Sequence, residues 1–134
     1  MNRSALREVI IKVLYQVYIF NSGNMEYDIN DLINEFIDVE NDFVNNSVIG
    51  VLDNTTDITV MANKYLKDWT IDRLSKVDKA ILSLGIYELL YTDTPKIVCI
   101  NEAIELSKKY SDEAVTKMIN ATLDGIYHNE ASDE

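Results

Sequence analysis

Two residue types that often carry covalent or metal chemistry occur once each in this 134-residue chain, as Cys99 and His128. A lone thiol cannot close an internal disulfide, and one thiol with one imidazole cannot make a four-ligand zinc site. Cys99 reads as a small buried apolar residue. His128 stands just past a helix end beside an acidic tail and is not placed for catalysis. Carboxylates are plentiful, 23 Asp and Glu in all, yet none pairs with a nearby base or a phosphate-binding loop. The sequence holds no glycine-rich loop, no Ser–His–acid set and no metal-ligand spacing. The expectation is a protein that is not an enzyme and carries no metal or cofactor.

What the residues offer instead is contact. Asn101 and Asn120 fall inside otherwise good helical patterns, where Asn competes with the backbone and is disfavoured. Something outside the local helix should want them there. For Asn120 that is either an outside partner or a neighbouring helix terminus; for Asn101 with Glu102 it is a partner or a clasp on an adjacent loop. Lys108 and Lys109 close a helix, where complementing its dipole explains them without any ligand. Tyr87, at helical spacing among Ile81, Leu84 and Leu90, suits a core as well as an interface.

The net charge of −11 is unevenly spread. Residues 1–12 hold Arg3, Arg7 and Lys12 against Glu8 alone, whereas 13–63 contain nine acids and no Lys or Arg. From Lys64 to His128 the two signs nearly cancel. A nucleic acid would meet a local basic patch on an acidic protein. Arg3 and Arg7 ahead of the apolar run 9–20 mimic the start of a signal sequence, but no small-residue cleavage site follows. Twelve residues are also too few to cross a bilayer. A reducing, cytoplasmic home without membrane contact is the expectation.

The elements that must position these residues read as helices. Gly (4) and Pro (1) are scarce, which favours helices over a turn-rich β protein. The apolar spacing predicts helices over 4–20, 28–38, 40–52, 56–67 and 70–91, then one opened by Pro95 and one capped by Ser111. In the first, Glu8, Lys12 and Gln16 form one narrow polar stripe. The rest is apolar, so that helix is buried or lends a face to a partner, and a homodimer stays open. Gly23 is the expected cap at its end. The sixth helix is expected to bury Ile97, Cys99, Ile100, Ala103 and Ile104. Residues 1–130 are expected to form one domain, with 131–134 an acidic, frayed tail.

Several motifs occur in a telling order: Arg7-Glu8 with Leu14-Tyr15, Trp69 with Arg73, VDKAIL at 77–82 and GIYEL at 85–89. They are followed by PKIVCINEAIEL at 95–106 and by Lys117, Ile119, Asn120, Leu123 and Asp124. In that order the chain resembles the NusB family of bacterial transcription antitermination factors. The resemblance spans nearly the full chain, with the acidic stretch 24–64 matching only in helix pattern and length.

The resemblance implies an all-α fold of about seven helices in two packed subdomains, the first three helices and the last four, without catalytic activity. It implies pairing with a small-subunit ribosomal protein, also called NusE. The pair would bind boxA, a single-stranded RNA element, within an RNA polymerase antitermination complex that supports ribosomal RNA synthesis. By motif position, Arg3 and Arg7 would contact phosphates, and Tyr15 would lie near the RNA. Lys117, Met118 and Asn120 would sit at the RNA edge, while Asp78 and Tyr87 would face the ribosomal protein.

Three departures from the family pattern weaken the implied RNA grip: Ser4 and Ala5 thin an arginine cluster, Met118 replaces a common Phe, and Ser83 replaces a common Arg. Partner pairing is less affected, so a helical adaptor with little direct RNA contact is the alternative. A fragment of a ribosomal RNA methyltransferase bearing a related helical domain is the third reading.

Overall fold

Capping residues set most of the helix starts. In the computed structural model, which describes residues 1–131, Asn2 accepts from the Ala5 amide at 2.8 Å to open α1 (Arg3–Ser22). Asp28 does the same for α2 (Ile29–Phe36), and Asn41 for α3 (Asp42–Asp53). Asn54 joins α3 to α4 (Thr55–Tyr65) by donating back to the Gly50 carbonyl at 2.7 Å. Ser75 opens α5 (Lys76–Tyr91), Pro95 precedes α6 (Lys96–Tyr110), and Asp112 opens α7 (Glu113–Glu130). The side chains of Asn2, Asp28, Asn41, Ser75 and Asp112 thereby satisfy amides that the first helical turn leaves without partners. Among the described residues there are seven α-helices and no strand. None is long and apolar enough to cross a membrane.

The departures from the expected boundaries have physical causes. The helix expected over 70–91 is split into a 3-10 turn (Ile71–Arg73) and α5. Asn63 accepts the Ile71 amide at 2.8 Å and draws Ile71 into the core. The Ser75 side chain then starts a new helix rather than continuing the old one. Asp112 caps α7 in place of Ser111, whose hydroxyl donates to Asp78 on α5 instead. Gly23 caps α1 as expected, its amide donating to the Ile19 carbonyl, and the left-handed conformation falls on the next residue, Asn24, at φ 53°. Ile97 is 60% exposed, because α6 buries the stripe Cys99, Ile100, Ala103, Leu106 and Ser107 and leaves Ile97 off it. Glu130, the last residue of the expected domain, ends α7 and accepts from Lys64 at 2.6 Å and the Tyr65 hydroxyl at 2.5 Å. Residues 132–134 of the expected tail lie outside the described residues.

The first three helices pack together, as do the last four, and α5 belongs to both groups. It touches α1 and α3 on one side and α4, α6 and α7 on the other. From Ala80 to Ile86 every residue of α5 is buried, Ser83 included. Gly85 permits this crowding: a Cβ there would lie 3.0 Å from a Leu123 methyl of α7 and 3.5 Å from the Ala103 Cβ of α6. The apolar stripe of α1 rests on this axis through Ile10, Leu14 and Val17, each 0% exposed. The opposite stripe of α1 faces solvent, and it carries the candidate site.

Candidate nucleic-acid and partner interface

The outward stripe of α1 runs through Ser4, Glu8, Lys12, Tyr15 and Ile19, at the three- and four-residue spacing of one helix face. It lies beside α6. The Ser4 hydroxyl donates to Glu102 at 2.7 Å, and Lys109 donates to Glu8 at 2.6 Å. The Tyr110 hydroxyl donates to the same Glu8 oxygen, with the Lys12 ammonium 4.0 Å away. These contacts hold the Glu8 carboxyl below its ordinary pKa, first through the Lys109 hydrogen bond and then through that of Tyr110. Burial and the bond to Glu8 raise the Tyr110 hydroxyl.

Two grooves flank this clasp. One of about 770 Å³ runs between α1 and α6 and is lined by Ser4, Glu8, Asn101, Glu105 and Lys109 among others. The second, of about 350 Å³, is lined by Ile11, Lys12, Tyr15, Phe36, Val77 and Tyr110. Tyr15, 38% exposed, presents its ring at this second groove. An exposed aromatic edge with Lys12 beside it is a shape suited to stacking a base and holding one phosphate.

Arg7 departs from the sequence reading. Its guanidinium is only 3% exposed and forms a two-pronged pair with Glu88 of α5, Nε to Oε1 at 2.8 Å and Nη2 to Oε2 at 2.9 Å. Glu102 lies 3.4 Å from its remaining nitrogen. Burial pulls the guanidinium down, but the hydrogen bond and charge of Glu88 outweigh this and leave its pKa raised. With its donors on carboxylates in the core, Arg7 is not presented to a phosphate in this structure. Arg3 is exposed and lies over the Phe43 ring of α3, 3.9 Å from its centre. That cation–π contact holds it near the surface without neutralising it.

On α7, Lys117 is exposed and stands 3.4 Å from Glu113 one turn earlier, while Asn120 is exposed without a hydrogen bond among the described residues. Asn101 is likewise exposed, so neither Asn clasps a neighbouring helix. Met118 is half-buried against the core and therefore lies beneath this face more than on it. Thr116, 2.7 Å from Ser107 of α6, brings the first turns of α7 to the end of α6 that carries Lys108 and Lys109.

Asp78 and Tyr87 do not share one surface. Nine residues along a helix is about two and a half turns, which puts them on opposite sides of α5. Asp78 is 7% exposed and receives the Ser111 hydroxyl at the α6–α7 junction. The Tyr87 ring lies on Gly50 of α3, where an added Cβ would overlap it, and stacks with Tyr91 at 5.7 Å. Glu8, Lys109 and Tyr110 were not singled out as a group by the sequence. The Glu8–Lys12 spacing of one turn is visible there, but the partners of Glu8 on α6 lie 101 and 102 positions away. No group of three or more His, Cys, Asp or Glu among the described residues is arranged to hold a metal ion.

Comparison with known proteins agrees with this architecture. The model of the NusB family matches residues 4–128. The transcription antitermination protein NusB of Macrococcus caseolyticus (strain JCSC5402) is 35% identical over 133 residues, covering 98% of this chain and 100% of the relative. The solved structure of T. maritima NusB superposes with a TM-score of 0.85 at 30% identity, covering 98% of this chain and 94% of that one. The structure of the antitermination factors NusB and NusE in complex with dsRNA has a TM-score of 0.80 at 24% identity, over 94% of this chain and 96% of that chain. At that identity the last likeness speaks for the fold alone.

Proposed function

The chain belongs to the NusB family, and on that premise we propose that it is a transcription antitermination factor. It pairs with the small-subunit ribosomal protein NusE and binds boxA-type single-stranded RNA to support ribosomal RNA transcription. The observation that carries this reading is the full-length likeness to a curated antitermination protein, 35% identity over 98% of this chain. The solved complex of NusB with NusE and dsRNA, on the same fold, supports the choice of partners. The role is one of assembly in the cytoplasm and not of catalysis.

In this reading Arg3, Lys12 and Lys117 meet phosphates and Tyr15 stacks on a base at the groove beside Phe36 and Val77. Asn120 offers hydrogen bonds from α7, with Met118 supporting it from below. Arg7 acts from the core, by fixing α1 on α5. Tyr87 meets the ribosomal protein from α5, while Asp78 acts from the opposite side of that helix by holding Ser111 at the α6–α7 junction. One observation favours the alternative of an adaptor with little direct RNA contact: Glu8, Glu88 and Glu102 already engage Arg7 and Lys109.

The test is a fluorescence-anisotropy titration of labelled boxA and scrambled RNA with the chain, with NusE, and with both. Selective boxA binding by the mixture is expected. Equal binding of both RNAs at low and moderate salt removes the antitermination role. If Arg3→Ala with Lys12→Ala leaves boxA uptake by the pair unchanged, the adaptor reading replaces direct contact.

A further inference from the structure

Glu8 is an acid set between two lysines, Lys12 on its own helix and Lys109 on α6. One of its oxygens accepts from Lys109 at 2.6 Å and from the Tyr110 hydroxyl, and Lys12 stands 4.0 Å away. Lys12 and Lys109 are themselves 48% and 59% exposed. Glu8 and Lys109 line the first groove and Lys12 and Tyr110 the second, so the clasp lies between the two. An oxyanion held by two ammonium groups and a phenol, next to an exposed tyrosine, is the contact set a backbone phosphate would make.

We propose that Glu8 is a built-in counter-ion that occupies the Lys109–Lys12 site in place of an RNA phosphate and so sets the stringency of RNA selection. This rests on the RNA-binding reading above. Phosphate contacts supply affinity without regard to sequence, whereas base contacts discriminate. Occupying two cations from within lowers the first contribution and leaves the second. RNA that offers only its backbone has to displace Glu8 with nothing in return. RNA whose bases also fit gains enough to do so.

The experiment compares the full chain, paired with NusE, as wild type and Glu8→Gln, against boxA and scrambled RNA across a salt series. Gln keeps the size and the Tyr110 hydrogen bond, and a thermal melt checks that the fold is unaltered. Glu8→Gln is expected to bind scrambled RNA several-fold more tightly, with a smaller gain for boxA. Its log–log salt slope should steepen by about 0.7 for each phosphate newly paired. Adding Lys109→Met to Glu8→Gln should remove the gain, and Glu105→Gln, which removes an acid from the same groove, should not reproduce it.

Unchanged or weaker binding by Glu8→Gln overturns the proposal, as does an equal gain from Glu105→Gln. If neither protein takes up RNA, the clasp covers no phosphate site and the proposal falls. If only Glu8→Gln binds, without preference for boxA, the counter-ion role stands and the boxA reading falls.

Discussion

Arg7 and Glu88, 81 positions apart in sequence, neutralise each other in the core between α1 and α5. Glu88 also lies 3.4 Å from the Thr94 hydroxyl, so the loop leading into α6 closes over the pair. A charge so placed is tolerable only while its partner remains. Arg7→Ala should therefore cost about 3–5 kcal/mol of stability, read as a lower urea midpoint. Replacing both partners by apolar residues, Arg7→Met with Glu88→Leu, should recover most of it. A loss below about 1 kcal/mol for Arg7→Ala is the size of a surface pair and would place this one in solvent.

The withdrawal of Arg7 from solvent also lowers the number of phosphates the chain alone can neutralise. With Arg3 and Lys117 available, and Lys12 where RNA displaces Glu8, single-stranded RNA binding should fall with salt with a log–log slope of about −2. Titrations at several salt concentrations give this value directly. A slope near −4 would mean that further cations take part.

Burial raises the Cys99 thiol from its ordinary 9.0 to about 11, with the nearby Glu88 charge adding to the effect. The group is neutral when protonated, and the folded state holds that proton more tightly than the unfolded chain. Its contribution to stability is thus complete below pH 9.0 and fades as the pH rises through about 11. Iodoacetamide should label Cys99 slowly in the native protein at pH 8 and rapidly in concentrated urea. Native labelling as fast as that of a free thiol would contradict this burial.

Gly50 lets the Tyr87 ring rest on the backbone of α3. Gly50→Ala gains helix propensity of up to about 1 kcal/mol but drives the ring off the helix. The expected signature is an altered near-ultraviolet circular dichroism spectrum with weaker NusE pairing, at little change in melting temperature. Tyr87→Leu in the same background should leave stability unchanged and should not recover pairing. An unchanged spectrum in Gly50→Ala would show that the ring does not sit there.

The sequence displayed its helices more fully than its site. Apolar spacing located α1 to α7 because burial along a helix is periodic, and that period survives in the letters. The split at Ser75 was hidden, because the Asn63 side chain that holds Ile71 belongs to a different helix. Arg7 shows the limit most sharply. Its type and its place near a basic terminus suggest a solvent-facing cation, and only the position of Glu88 across the fold turns it inward. Lys109 likewise looked like a helix-end charge until Glu8 of α1 met it. Motifs in order identified the family, but which face each motif residue uses depends on contacts between helices.

The shared position of α5 has a consequence for how the molecule comes apart. Its buried surface is divided between α1 and α3 on one side and α4, α6 and α7 on the other. Neither group can open without stripping one side of the same helix, so opening should be all-or-none. Amide hydrogen exchange should give the protected amides of α1, α5 and α7 one common opening free energy, falling together in urea. A proteolytic nick in the 23–28 connection should likewise release no stable fragment. The helix proposed to face RNA and the helix proposed to face NusE then rise and fall as one thermodynamic unit, so a mutation at either surface is felt in the population of both.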